Sequence, residues 1–160
     1  MASLVACGGG GDTATPLPAV APDVADQFVG TWAGCEAYGP LESAYQEVTF
    51  TKLSASALAA TQKQTVYTTT NCTGALRGST ATNPNPNILN GITATLSGTK
   101  LIGTATVVTT DNTFVGDPQV IKQVLLADAN RLRVGDNDTG APVDANGYPN
   151  TFAPVTYTKQ

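Results

Sequence analysis

Ile92-Thr93-Ala94-Thr95-Leu96-Ser97 alternates apolar and polar side chains without a break. Ser97-Gly98-Thr99-Lys100 then supplies turn residues, and Leu101 to Thr110 runs back. Period-two alternation puts every second side chain on one face, so this stretch reads as a β-hairpin with one buried side. Upstream, residues 44–54 repeat the pattern, with Val48 and Phe50 on one face and Glu47, Thr49 and Thr51 on the other. A first strand spans 30–38 and stops at Gly39-Pro40. Residues 57–70 read as another strand, although Ala57-Leu58-Ala59-Ala60 also suits one helical turn. Asn71-Cys72-Thr73-Gly74 is a turn, 75–82 a short strand, and Asn83-Pro84-Asn85-Pro86-Asn87 a loop. Asp111-Asn112 turns again, and 120–127 pairs through Asp128-Ala129-Asn130 with 131–135. A polar loop over 136–150 precedes a closing strand at Val155-Thr156-Tyr157-Thr158.

About eight short strands joined by hairpin-length turns define an all-β chain. Successive hairpins favour an antiparallel up-and-down meander closing into a barrel, with a β-sandwich as the alternative. Strand-helix alternation, the mark of an α/β fold, is missing. Composition agrees: 25 threonines stand against five lysines and three glutamates, which favours pleated over helical backbone.

The 160 residues suit one domain. Eight Lys/Arg against twelve Asp/Glu give a net charge of −4, which argues against nucleic acid as a partner. The chain has no histidine, which removes imidazole acid-base chemistry, Ser-His-Asp and Cys-His nucleophiles and HExxH zinc sites. The remaining carboxylates are scattered, with Glu36 and Glu47 at polar positions of strands, so we expect no enzyme activity.

Leu4-Val5-Ala6-Cys7 resembles the lipobox of bacterial lipoproteins, and Gly8 to Gly11 resembles the glycine tether that follows it in Gram-negative members. The resemblance implies diacylglycerol on the Cys7 sulfur, cleavage before Cys7, and an outer-membrane address facing the periplasm or the cell surface. Only Met1, Ala2 and Ser3 precede the box, without the basic and apolar regions of a signal peptide, so we expect a start further upstream. The bland alternative is a free Cys7 in a tail. On this reading residues 1–6 are the remnant of a signal peptide. Residues 7–26, with Pro16, Pro18 and Pro22, form a flexible linker, and residues 27–160 form the folded domain.

Phe28-Val29-Gly30-Thr31-Trp32 resembles the G-x-W opening of the lipocalins, in which the tryptophan caps the closed end of an eight-stranded barrel. The resemblance implies that Arg131 or Arg133 packs across Trp32 and that the three residues border a ligand site. The segments Tyr67 to Gly74, Arg131 to Asp136 and Gly147 to Gln160 are also similar to small proteobacterial lipoproteins to which no activity attaches.

If Cys7 carries lipid, Cys35 and Cys72 remain as a pair, and an oxidising periplasm would join them. A reactive thiol is the poorer reading, because nothing near either cysteine in sequence lowers its pKa. Asp136, Asp138 and Asp144 sit in an Asn- and Gly-rich stretch whose oxygens suit Ca²⁺, although EF-hand spacing is not met and exposed turns use the same residues. No other cofactor is expected.

The function expected is therefore a monomeric, non-catalytic envelope lipoprotein. Its barrel binds a small apolar ligand or a periplasmic protein partner. The bacterial lysozyme inhibitors are similar in size and build. The alternative is a structural or adhesive surface module without a pocket, and the barrel interior discriminates between the two.

Overall fold

A computed structural model describes residues 23–160. Cys7 and the rest of residues 1–22 lie outside them. After a 3-10 helix over Val24–Gln27 come eight strands: β1 (Gly30–Ala37), β2 (Ser43–Ser54), β3 (Ala57–Tyr67), β4 (Asn87–Ile102), β5 (Ala105–Phe114), β6 (Asp117–Asp128), β7 (Arg131–Gly135) and β8 (Phe152–Lys159). Each pairs antiparallel with the next, and β8 returns to β1 through Trp32↔Lys159 and Ala33↔Thr158. The sheet is a closed barrel in meander order, so the sandwich alternative falls. Closure also leaves no edge strand free to pair with another chain.

Alternation decides what fills the interior. Phe50 on β2, Leu58 and Ala60 on β3, Ile92 and Ala94 on β4, Leu125 on β6, and Leu132 on β7 belong to one buried cluster. The Ala57–Ala60 run is strand, because Leu58 and Ala60 take alternate inward positions that a helical turn would not give them.

Trp32, Phe28 and Ala25 are fully buried together where the barrel is closed. The indole Nε1 donates to the Phe28 carbonyl at 2.7 Å, tying the start of the chain to β1. Lys52, on the neighbouring β2, holds both Asp23 and Asp26 at 2.7 Å. Packed structure thus begins ahead of residue 27, because Ala25 belongs to the core.

Three local expectations give way. Ser97-Gly98 is no hairpin turn: a register shift between Leu96 and Gly98 absorbs the glycine, and β4 runs on to Ile102. Asp111 and Asn112 lie inside β5, paired across to Lys122 and Ile121. The chain reverses instead beside Gly103 and Gly116, whose φ values of 60° and 84° few other residues tolerate. Residues 75–82 form no strand and make only isolated bridges at Leu76 and Thr80. Asn85 takes over the pairing there. Its Nδ2 donates to the Val66 and Arg77 carbonyls at 2.8 and 2.7 Å, and its Oδ1 accepts from the Val66 N–H at 2.9 Å.

Candidate functional site

β1 enters at the closed end with Gly30 and leaves at the open end with Ala37. Its inward positions therefore grade from Trp32 to Glu36. Between the two ends lies a cavity of about 580 Å³. Its apolar wall comes from Val48, Phe50, Ala60, Ile92, Ala94, Leu125 and Val155. Alanines at two inward positions leave the space that larger side chains would fill. Gly34 lets β8 close in: a Cβ there would stand 2.8 Å from Val155 Cγ2 and 3.0 Å from the Thr156 carbonyl oxygen.

Nearer the mouth the inward side chains turn polar and bond to one another. Gln46 is the hub. Its Nε2 donates to Glu36 Oε2 at 3.0 Å and to the Tyr38 hydroxyl at 3.1 Å. Its Oε1 accepts from the Tyr157 hydroxyl at 3.1 Å and from Gln62 Nε2 at 3.3 Å. Gln64 Nε2 donates to the Tyr38 hydroxyl at 3.0 Å. Burial pushes the Tyr157 phenol far above its usual range, so it stays a donor. Burial, reinforced by the negative charge of Asp138, holds the Glu36 carboxyl above the ordinary carboxylate range. Burial and then the Glu36 charge raise Tyr38 likewise.

On β5, Thr110 Oγ1 and Asn112 Oδ1 are buried without a hydrogen-bond partner among the described residues. Asn112 lines the cavity. Buried polar atoms are normally satisfied, and these two, with almost no accessible surface, are a local cost of packing and are not presented to the cavity.

Trp32 does not line the cavity; it packs below it with Phe28. The cation over its ring is Lys159, 5.1 Å from the centroid, and not an arginine. Parity is the reason. Leu132 points inward and is fully buried, so Arg131 and Arg133 on either side point outward, where Arg133 stacks over Phe152 at 3.8 Å. Neither arginine borders the cavity.

Cys35 and Cys72 are joined by a disulfide, with 5.9 Å between their Cα atoms. It fastens the loop after β3 to the mouth end of β1. Ser43, fully buried, reinforces the join: its Oγ donates to the Thr69 carbonyl at 2.6 Å and accepts from the Cys72 N–H at 2.9 Å.

The three aspartates of the 136–150 loop are not brought together. Asp136 and Asp138 stand at the cavity mouth. Asp144 lies on the outer face of the barrel, its Oδ2 2.6 Å from Lys100 Nζ and its Oδ1 accepting from the Asn146 and Tyr148 N–H groups. The Lys100 ammonium holds that carboxyl below its usual range. Among the described residues no group of three His, Cys, Asp or Glu is placed to hold a metal ion. Asp144 serves a latch instead. Lys100 also donates to the Pro149 carbonyl at 3.0 Å and Asn150 Oδ1 at 2.7 Å, while the Tyr148 hydroxyl reaches Ser97 Oγ and Asp111 Oδ1, both at 2.9 Å.

Gln46, Gln62, Gln64 and Tyr157 went unnoticed in the sequence although the signal was there. Gln46 shares the parity of Val48 and Phe50, and Gln62 and Gln64 that of Leu58 and Ala60. A polar residue at an inward position of a strand is the pattern to look for. Compared with protein-family models, curated proteins and solved structures, the chain matches none.

Proposed function

We propose that this protein is a non-catalytic binding module of the bacterial envelope whose barrel holds a small, largely apolar ligand. The observation that carries the reading is the cavity of about 580 Å³, its surface divided about evenly between apolar side chains such as Phe50, Ile92 and Leu125 and polar ones such as Gln46, Gln62 and Glu36. Ligand pockets typically span ~300–1,000 Å³ and combine apolar lining with a few convergent polar groups. A purely structural or adhesive module has no need of such a space. The envelope address rests on Leu4-Val5-Ala6-Cys7, and the Cys35–Cys72 bridge supports an oxidising compartment.

The test uses N-phenyl-1-naphthylamine, an apolar dye that brightens out of water. The chain should bind it, and Ala94→Trp, which fills the cavity from β4, should abolish binding while the folded circular-dichroism spectrum persists. Dye binding that is absent from the parent chain, or unchanged in the plugged variant, refutes a ligand cavity. Palmitate labelling of the chain behind its native leader, lost in Cys7→Ser, tests the anchor separately.

A further inference from the structure

The cavity has a chemical sign. Glu36, Glu47, Asp136 and Asp138 line it or its mouth, and no Lys or Arg does. Glu47 is matched by Lys63 at 2.8 Å. Glu36, Asp136 and Asp138 have no ion-pair partner among the described residues.

The polar side chains of the wall are bonded largely to one another. The amide nitrogens of Gln46, Gln62, Gln64 and Gln123 all donate within the wall, the last to the Gly135 carbonyl at 3.2 Å. The Tyr157 hydroxyl is spent on Gln46. The carboxylates at the mouth supply acceptors that cannot donate while ionised. A wall whose unpaired charges are all negative is complementary to a head group that is positive.

We propose that the barrel takes a cationic amphiphile: an apolar tail lies against Phe50, Ile92 and Leu125, and an ammonium-type head sits at the mouth among Glu36, Asp136 and Asp138. The inference rests on the cavity reading above and gives it a ligand class. Fatty acids of the same length are excluded by like charge in a partly desolvated site, where screening by water and salt is weakest. Burial and the Asp138 charge raise the Glu36 carboxyl, and a cationic head placed between the two would favour its ionised form.

Dodecylamine, dodecanol and dodecanoate share a tail and differ in the charge of the head. Titrated at neutral pH into the intact chain by calorimetry, dodecylamine should bind about tenfold or more tightly than dodecanol, roughly the effect of one partly screened ion pair, and dodecanoate most weakly. Raising the salt concentration should weaken the amine and leave the alcohol unchanged. The triple variant Glu36→Gln, Asp136→Asn, Asp138→Asn should bring the amine down to the affinity of the alcohol. If the alcohol or dodecanoate binds as tightly as the amine, the charge inference is overturned and the cavity reading survives. Failure of all three to bind, with no dye binding either, overturns both. Amine binding that persists in Ala94→Trp is surface adsorption and also overturns the inference. Should the triple variant not fold, the salt response of the parent chain decides.

Discussion

Replacing Trp32 tests the closed end of the barrel and separates its role from that of the cavity. The indole is 1% exposed, and its N–H is the partner of the buried Phe28 carbonyl. Trp32→Ala removes a large aromatic from a core, which costs about 3–5 kcal/mol. Trp32→Phe keeps most of the apolar contact and removes the donor, leaving the Phe28 carbonyl unsatisfied at a cost of about 1–3 kcal/mol. The two losses should therefore be ordered, with alanine the worse by roughly 2 kcal/mol. Against a typical domain stability of ~5–15 kcal/mol, Trp32→Ala approaches the limit of folding, and Trp32→Phe does not. Guanidinium unfolding followed by circular dichroism reads both, since Trp32 is the single tryptophan and fluorescence is lost with it. Because Trp32 lies below the cavity, Trp32→Phe should leave dye affinity unchanged. A loss under about 1 kcal/mol in Trp32→Ala would refute the packed closed end. A collapse of dye affinity in folded Trp32→Phe would instead return Trp32 to the ligand site.

Two further predictions follow from groups at the mouth. Opening the Cys35–Cys72 bridge, whose cysteines lie 37 residues apart, should cost about 4 kcal/mol by loop entropy, measured as the difference between oxidised and reduced unfolding curves; equal curves would contradict it. Glu36 has its carboxyl raised in the folded chain by burial and by Asp138, so its contribution favours folding at acid pH and is lost as pH rises through that raised value. Glu36→Gln, which keeps an acceptor for Gln46, should therefore be more stable than the parent at neutral pH and converge with it in acid. Asp26 and Asp144, held low by lysines, bend the parent's curve the opposite way, so the difference between the two proteins is the quantity to measure.

What was legible in the sequence was whatever depends on alternation. Val48 with Phe50, and Ile92 with Ala94 and Leu96, fix strands whose inward faces the structure reproduces. Turn chemistry was less reliable. Gly98 is read equally well as a turn or a bulge, and only pairing with β5 selects the bulge. Asp111 and Asn112 look like turn residues because the Lys122 and Tyr148 that engage Asp111 are remote in sequence. The aspartates at 136, 138 and 144 are close along the chain, yet the loop carries the first two to the mouth and the third to Lys100. The cavity itself was not legible. Its volume depends on which inward alanines face one another, and that is set by register across several strands.

The pairing of Trp32 with Lys159 carries a consequence for how the molecule forms. Every other ladder joins strands consecutive in the chain, five of them through connections of two to five residues and two, β3–β4 and β7–β8, through long loops. The β1–β8 seam alone must bring together residues that nearly span the described domain, and it does so through two registered pairs. Long-range pairing of this kind is slow, because the loop entropy is lost before the contact is gained. We therefore expect closure of the seam to be the slow step of folding. Until it closes, the inward faces of an open, curling sheet stay in contact with water, and the unpaired edges of β1 and β8 are available to any other chain.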